Sequence, residues 1–237
     1  MKLEFKYGAR SVSFNVVRAK RKTVKIVVSP PDQVVVTVPM TMNKNQIIDI
    51  VSTKGKWIVK KMDYFKEMDC LPYKREYVNG ELFMYLGNYY PLQIQYDPSI
   101  KKTVVALSDD QFIIKTNTNN KEVIKKAMEQ WYRAMAKKVI EERVKYYQKY
   151  FYIEPKDIKV KEQKKRWGSC THENRLLFNW RCIMGTLESL DYIVVHEMSH
   201  MIHKDHSKQF WSLVESILPD YKIRKLWLRN NGIKMDI

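Results

Sequence analysis

Ile193-Val194-Val195-His196-Glu197-Met198-Ser199-His200-Met201-Ile202-His203-Lys204-Asp205-His206 is the stretch on which the reading of this chain turns. Four of the five histidines in the 237 residues fall between positions 196 and 206. Residues four apart on a helix lie on one face, one turn above the other, so His196 and His200 can aim two imidazoles at one ion. Glu197 follows the first of them and sits beside that ion rather than on it. There it can take a proton from a water whose pKa zinc lowers to about 7. The H-E-x-x-H pattern therefore reads as a zinc site with its own base. The apolar residues on both sides imply a buried helix, where an unpaired polar group costs roughly 2–7 kcal/mol. The competing reading, a solvent-facing stripe of His and Glu, does not account for that apolar setting.

A catalytic zinc takes three protein ligands and keeps a fourth position open. His203 would share the helix face but stand about 10 Å along the axis from His196 at 1.5 Å per residue. His206 fits if the helix stops after His200 and the chain turns back. His203-Lys204-Asp205 offers the stop, because His and Asp tolerate left-handed backbone and Asp favours turns. The expected ligands are His196, His200 and His206, with Glu197 as catalytic base and His203 as a turn or supporting residue. Ser207 then caps a helix carrying Phe210, Trp211, Val214, Ile217 and Leu218, placed behind the third ligand to hold it.

Composition bounds the rest. Hydrophobic content of 45% describes a folded chain, and no apolar run approaches the length of a membrane span. The opening MKLEFKYGAR lacks the apolar core of a signal peptide. Three cysteines, Cys70, Cys170 and Cys182, without a C-x-x-C, suit a reducing compartment. A cytoplasmic protein without membrane contact is expected. Cys170, His172 and Cys182 could make a second metal site, although their spacing matches no standard zinc pattern. The net charge of +17 is spread over both halves and attracts polyanions, nucleic acid above all. Arg18, Lys20, Arg21 and Lys22 are the best local candidates for phosphate contacts. The plainer reading makes them a solvated loop that guards a sheet edge.

The element pattern predicts an α+β fold. Val12, Phe14 and Val16 alternate with polar neighbours, and Thr23–Ser29 and Gln33–Pro39 are valine-rich strands turned by Pro30-Pro31-Asp32. Asn43 caps a helix that runs through Met62, weakened at Gly55, and Leu71-Pro72 ends that segment. Asn79-Gly80 signals a hairpin between Tyr77-Val78 and Leu82–Tyr85. Strands follow near Tyr89–Tyr96, Thr103–Leu107 and Gln111–Lys115, the last two joined across Asp109-Asp110. Asn119 or Asn120 opens a long helix reaching about Tyr150, with Met128 and Trp131 on its apolar stripe. After Pro155 comes a basic stretch, Lys159 to Arg166. Asn174 then turns the chain into a strand at Leu176–Trp180, which either pairs a substrate at a sheet edge or lies inside a sheet. The histidine helix starts near Leu190-Asp191, and a last helix over Ile223–Asn230 ends at Gly232.

These features together resemble the YgjP-like metallopeptidase family, distant kin of the SprT/Spartan and WLM zinc proteases. The likeness rests on Arg166-Trp167-Gly168-Ser169-Cys170, on Phe178-Asn179-Trp180-Arg181, and on Asp191-Tyr192 running into the histidine block. It continues through His206-Ser207, Phe210-Trp211 and Pro219-Asp220-Tyr221. The resemblance implies a zincin-like domain over residues 119–237, after a β-rich basic region over 1–118. It implies His196, His200 and His206 as Zn2+ ligands, Glu197 as base, and a protein or peptide as substrate. Related families act on DNA-bound proteins, so DNA is an implied partner. A metzincin would carry Gly at position 203, where this chain has His. Arg166, Tyr192 and Tyr221 are the candidate donors to a developing oxyanion. The rival function is a nucleic-acid-binding module whose metal is structural.

Overall fold

A computed structural model describes residues 1–8, 10–29, 32–67, 75–163 and 165–237. Pro30-Pro31, Cys70 and Leu71-Pro72 lie outside the described residues, as does Lys164. The chain forms two compact units, Met1–Lys74 and Arg75–Ile237. Among the described residues the fold is mixed α+β, with three small sheets and six α-helices. No described helix is long and apolar enough to cross a membrane.

The first unit opens with β1 (Lys2–Tyr7), whose single buried side chain, Phe5, explains why its alternation is faint in the sequence. β2 (Arg10–Ala19), β3 (Lys25–Ser29) and β4 (Gln33–Pro39) complete a sheet of order β1-β2-β4-β3, with β2 and β4 parallel. Val12, Phe14, Val16, Val34, Val36 and Val38 point to one face. Two helices cover that face, α1 (Lys44–Thr53) and α2 (Gly55–Glu67), through Ile47, Val51, Ile58 and Phe65. Asn43 caps α1 in a reciprocal pair with Gln46. The single helix expected here is broken at Lys54, and Gly55 is needed at the break. A Cβ there would stand 2.7 Å from Tyr7 Cδ2.

The second unit begins with the same strand topology. β5 (Leu82–Tyr85), β6 (Asn88–Tyr96), β7 (Val104–Ser108) and β8 (Gln111–Thr116) lie in the order β5-β6-β8-β7, with β6 and β8 parallel. Asn79-Gly80 does form a tight turn, closed by the Glu81 N–H on the Val78 carbonyl at 3.1 Å with Gly80 at positive φ, but no strand leads into it among the described residues and it makes no hairpin. The Glu81 carboxylate accepts from the Tyr77 N–H at 2.6 Å and from Glu76 and Val78, so those backbone donors are not offered to a strand. The hairpin joins β5 to β6 across Leu86-Gly87, both at positive φ. Asp109-Asp110 does join β7 to β8, also at positive φ.

Asn120 caps α3 (Lys121–Tyr147), which buries Ile124, Met128, Tyr132, Ala136, Ile140, Val144 and Tyr147 along one stripe. Its Tyr132 hydroxyl donates to the Met84 carbonyl at 2.7 Å. Phe83, Phe112 and Ile114 of the sheet share one core with α3 and with the elements after it. Residues 75–118 therefore pack with the C-terminal part, and the expected junction at 118/119 would cut through that core. Beyond α3, β9 (Asp157–Lys161), β10 (Gly168–Cys170) and β11 (Arg175–Asn179) form the third sheet, ordered β10-β11-β9. β11 is central, so the 176–180 segment has no edge to offer, and the edges are β10 and β9. Three helices close the unit: α4 (Leu187–Ile202), α5 (Lys208–Ile217) and α6 (Tyr221–Asn231).

Candidate metal centre

The histidine helix α4 is buried almost throughout, from Ser189 to Val195 and again at Met198, Ser199 and Met201. Thr186 caps it. Arg143 of α3 grips Asp191 with two donors, Nε to Oδ1 at 2.6 Å and Nη2 to Oδ2 at 2.9 Å, and the Tyr147 hydroxyl adds a third at 3.0 Å. Arg224 of α6 approaches the same carboxylate at 3.7 Å. The first turns of α4 are thus fixed to its neighbours, which makes the later turns a rigid mount for functional side chains.

His196 and His200 project from one face, ring centroids 4.9 Å apart. The helix persists to Ile202, and His203 leaves it in extended backbone at φ −115, not in the left-handed conformation that its residue type tolerates. The return is made by side chains. Asp205 Oδ1 accepts from the Ser207 N–H at 3.2 Å, and Ser207 caps α5 by accepting from Phe210. His206 is thereby brought back until its Nε2 lies 3.1 Å from Nε2 of His196. One ligand atom from each of His196, His200 and His206 falls within 4.8 Å of the others. His203 does not join them. Its carbonyl accepts from Nδ1 of His200 at 3.0 Å, which places the proton on Nδ1 and leaves Nε2 free for an ion.

These residues fit a metal. At Zn–N distances of about 2.0–2.1 Å, tetrahedral geometry sets donors about 3.4 Å apart, close to the 3.1 Å between Nε2 of His196 and Nε2 of His206. Two imidazole lone pairs facing at such range repel unless a proton or cation lies between them. Burial lowers the His196 imidazole to about 3, so it is neutral and able to ligate across the physiological range. Burial likewise lowers His200. Nδ1 of His196 is buried without a hydrogen-bond partner, so packing orients this ring. Phe210 does so, with its ring 5.0 Å from His196, 4.5 Å from His200 and 4.8 Å from His206. Trp211 stacks on His206, and Tyr221 stacks on Trp211.

Glu197 is 6% exposed. Burial raises its carboxyl to about 8, against the opposing charge of Arg166 and the Cys170 backbone N–H. Strand β10 is its wall. A Cβ on Gly168 would stand 2.6 Å from Glu197 Cγ and 2.7 Å from Oε1. Sequence reading missed this role for Gly168. The available signal was a glycine inside a strand, which marks close approach. Tyr192 lies one turn before His196, ring centroids 5.7 Å apart, and burial followed by the Glu197 charge raises its hydroxyl above the usual tyrosine range.

The other candidates do not gather into a site of this kind. Cys182 is fully buried with Sγ donating to the Trp167 carbonyl at 3.2 Å. It forms no metal-holding group with Cys170 and His172 among the described residues. In the basic segment that ends β2 and leads to β3, Arg18 donates to the Met40 carbonyl and Arg21 to Thr23 Oγ1 at 3.0 Å, while Lys20 and Lys22 are exposed.

A family model described as YgjP-like, metallopeptidase domain, matches residues 22–231. The chain belongs to the YgjP-like family. A YgjP-like metallopeptidase domain implies a hydrolase and a metal ion, and the histidine triad is a group able to hold one. No curated protein matches the chain. Among solved structures, the crystal structure of the metallopeptidase zymogen of Pyrococcus abyssi abylysin aligns over 40% of this chain and 93% of its own. The identity is 17% and the TM-score 0.35.

Proposed function

We propose that the protein is a zinc-dependent peptidase of zincin type, with His196, His200 and His206 as ligands and Glu197 as general base. The observation that carries this reading is the convergence of His196 and His200 of α4 with His206 of the following turn, beside the buried Glu197. A zinc ion held there supplies a Lewis acid for the scissile carbonyl and an acidified water. The Glu197 carboxylate, whose raised pKa a cation held by the three imidazoles would bring down, takes a proton from the attacking water and delivers it to the leaving amine. The β10 wall and the Cys170 N–H hold that carboxylate in place. Tyr192, one turn before His196 with ring centroids 5.7 Å apart, is the best placed of the three candidate donors to the oxyanion. The exposure of His206 supports an open ligand position, as a catalytic ion requires and a closed structural site lacks.

The test is elemental analysis of purified protein together with peptide cleavage. Zinc near one per chain, lost in His206→Ala and retained in His203→Ala, is the expected result, with cleavage lost in Glu197→Gln while zinc stays. Zinc loss in His203→Ala alone would overturn the ligand set. A nucleic-acid-binding module with a structural metal would instead show no hydrolysis and a steep salt dependence of DNA or RNA binding.

A further inference from the structure

The third sheet and its flanks carry cations of two kinds. Most are matched with carboxylates. Lys156 lies 3.6 Å and Arg175 3.0 Å from Glu173, Lys159 lies 3.1 Å from Asp157, and Arg181 reaches Asp236 at 2.8 Å as well as Glu162. Lys161, Lys165 and Arg166 differ. All three are exposed, and none of their side chains makes a hydrogen bond or ion pair with a described residue. They line one groove of about 540 Å³ together with Leu177, Ser169 and Cys170. The one carboxylate on its wall, Glu162, is already committed to Trp180 Nε1 at 2.7 Å and to Arg181. Three cations thus stand on one concave surface without an ion-pair partner among the described residues, beside one apolar side chain.

The groove also has a definite position. Ser169 and Cys170 belong to β10, whose Gly168 abuts Glu197. One strand therefore borders both the base and the groove. At about 3.3 Å per extended residue, two residues of a substrate span the distance from Gly168 to Cys170. A guanidinium binds a carboxylate through two parallel hydrogen bonds, and two lysines nearby add charge without demanding geometry. Leu177 suits the short aliphatic stem of an acidic side chain.

We propose that this groove is a subsite for acidic side chains: the enzyme selects peptides carrying Asp or Glu within about two residues of the bond it cleaves, with Arg166 as the main contact. The proposal rests on the peptidase reading for its reaction, but its binding step can be measured apart from turnover. Zinc-loaded Glu197→Gln protein is titrated into fluorescein-labelled peptides of one sequence that differ only by Glu or Gln at successive positions. Binding about tenfold tighter for Glu at one or two positions is expected, weakening as salt rises. In the Lys161→Gln/Lys165→Gln/Arg166→Gln variant, with zinc content and melting temperature equal to the parent's, the ratio should fall to about one. In wild type the same positions should show a matching preference in kcat/KM. Equal binding of the Glu and Gln peptides, or a preference that survives the triple substitution, would overturn the subsite. So would weaker affinity of the triple variant for a single-stranded DNA oligomer with the peptide ratio unchanged, since nucleic acid would then be the occupant. A clear binding preference without any wild-type cleavage would uphold the groove and overturn the peptidase reading.

Discussion

Two stretches of this chain are dense in functional residue types, and the fold treats them differently. Arg18 at the end of β2 and Lys20, Arg21 and Lys22 in the connection from β2 to β3 form a basic segment where both arginines bond to their own surroundings, Arg18 to the Met40 carbonyl and Arg21 to Thr23. The histidines of α4 and the turn after it converge, and what fixes them comes from elsewhere: Phe210 against all three rings, and the His203 carbonyl on His200. Residue type nominates a site. What distinguishes one is that other elements orient the side chains and leave their reactive atoms facing one another.

The most severe way to break that contrast is to remove the base. Glu197→Gln keeps the shape of the side chain and abolishes proton transfer, which typically costs about 10²–10⁴-fold in rate. Cleavage should fall by that amount in kcat with the zinc content unchanged. Wild-type turnover in this variant would remove Glu197 from the mechanism.

Gly168→Ala tests the wall. The added Cβ would overlap Glu197 Cγ, which is buried and has little room to retreat. A displacement on the order of 1 Å costs about 10²-fold. The expected loss lies in kcat, with KM and metal content preserved. The cost in stability should shrink when Glu197 is shortened to Asp, because the two substitutions act on the same pair of side chains. Purely additive urea midpoints in the double variant would show that the wall does not position the base.

Much of the site was legible because it is local. The spacing of His196, His200 and His206, the Ser207 cap and the helix carrying Phe210 all lie within twenty-two residues and follow from helical geometry and capping. Gly168 was not legible, because the contact that makes glycine necessary comes from a helix after an intervening strand. The central position of β11 depends on parallel pairing with β9, which alternation within one strand does not encode. The junction at 118/119 marked a change from strands to helix. Core membership is a separate property, and it joins the second sheet to α3. Asn79-Gly80 carried a hairpin signal that the Glu81 carboxylate overrides by taking the neighbouring N–H groups.

A smaller effect should appear in the stability of the metal-free protein. Burial moves Glu197 from an ordinary 4.5 up to about 8, and His196 from 6.5 down to about 3. Between pH 6.5 and 8 the folded protein keeps a Glu197 proton that the unfolded chain has lost, so stability falls as pH rises. Between pH 3 and 4.5 the unfolded chain protonates His196 and the folded protein resists, so stability rises with pH. From 4.5 to 6.5 the two oppose each other. Urea midpoints across the range should trace this dome, and Glu197→Gln should remove the fall above pH 6.5. A midpoint that keeps falling in that variant would assign the slope to another group.

The smallest effect is expected at the connection from β2 to β3, and it bears most directly on the difference between the two stretches. Lys20 and Lys22 are exposed. Lys20→Ala/Lys22→Ala should change cleavage of a short uncharged peptide by less than about twofold, as expected of surface substitutions away from structural features. If the net charge of +17 recruits nucleic acid through this loop, the same variant lowers the slope of log affinity against log salt by about 0.9 for each duplex-DNA phosphate that it no longer neutralises. An unchanged slope would mean that the loop guards the sheet edge and that the basic excess acts as a diffuse field. A large drop in peptide cleavage would mean that residue density alone had located a second functional region, and orientation by neighbouring elements would not be what separates a site from a basic loop.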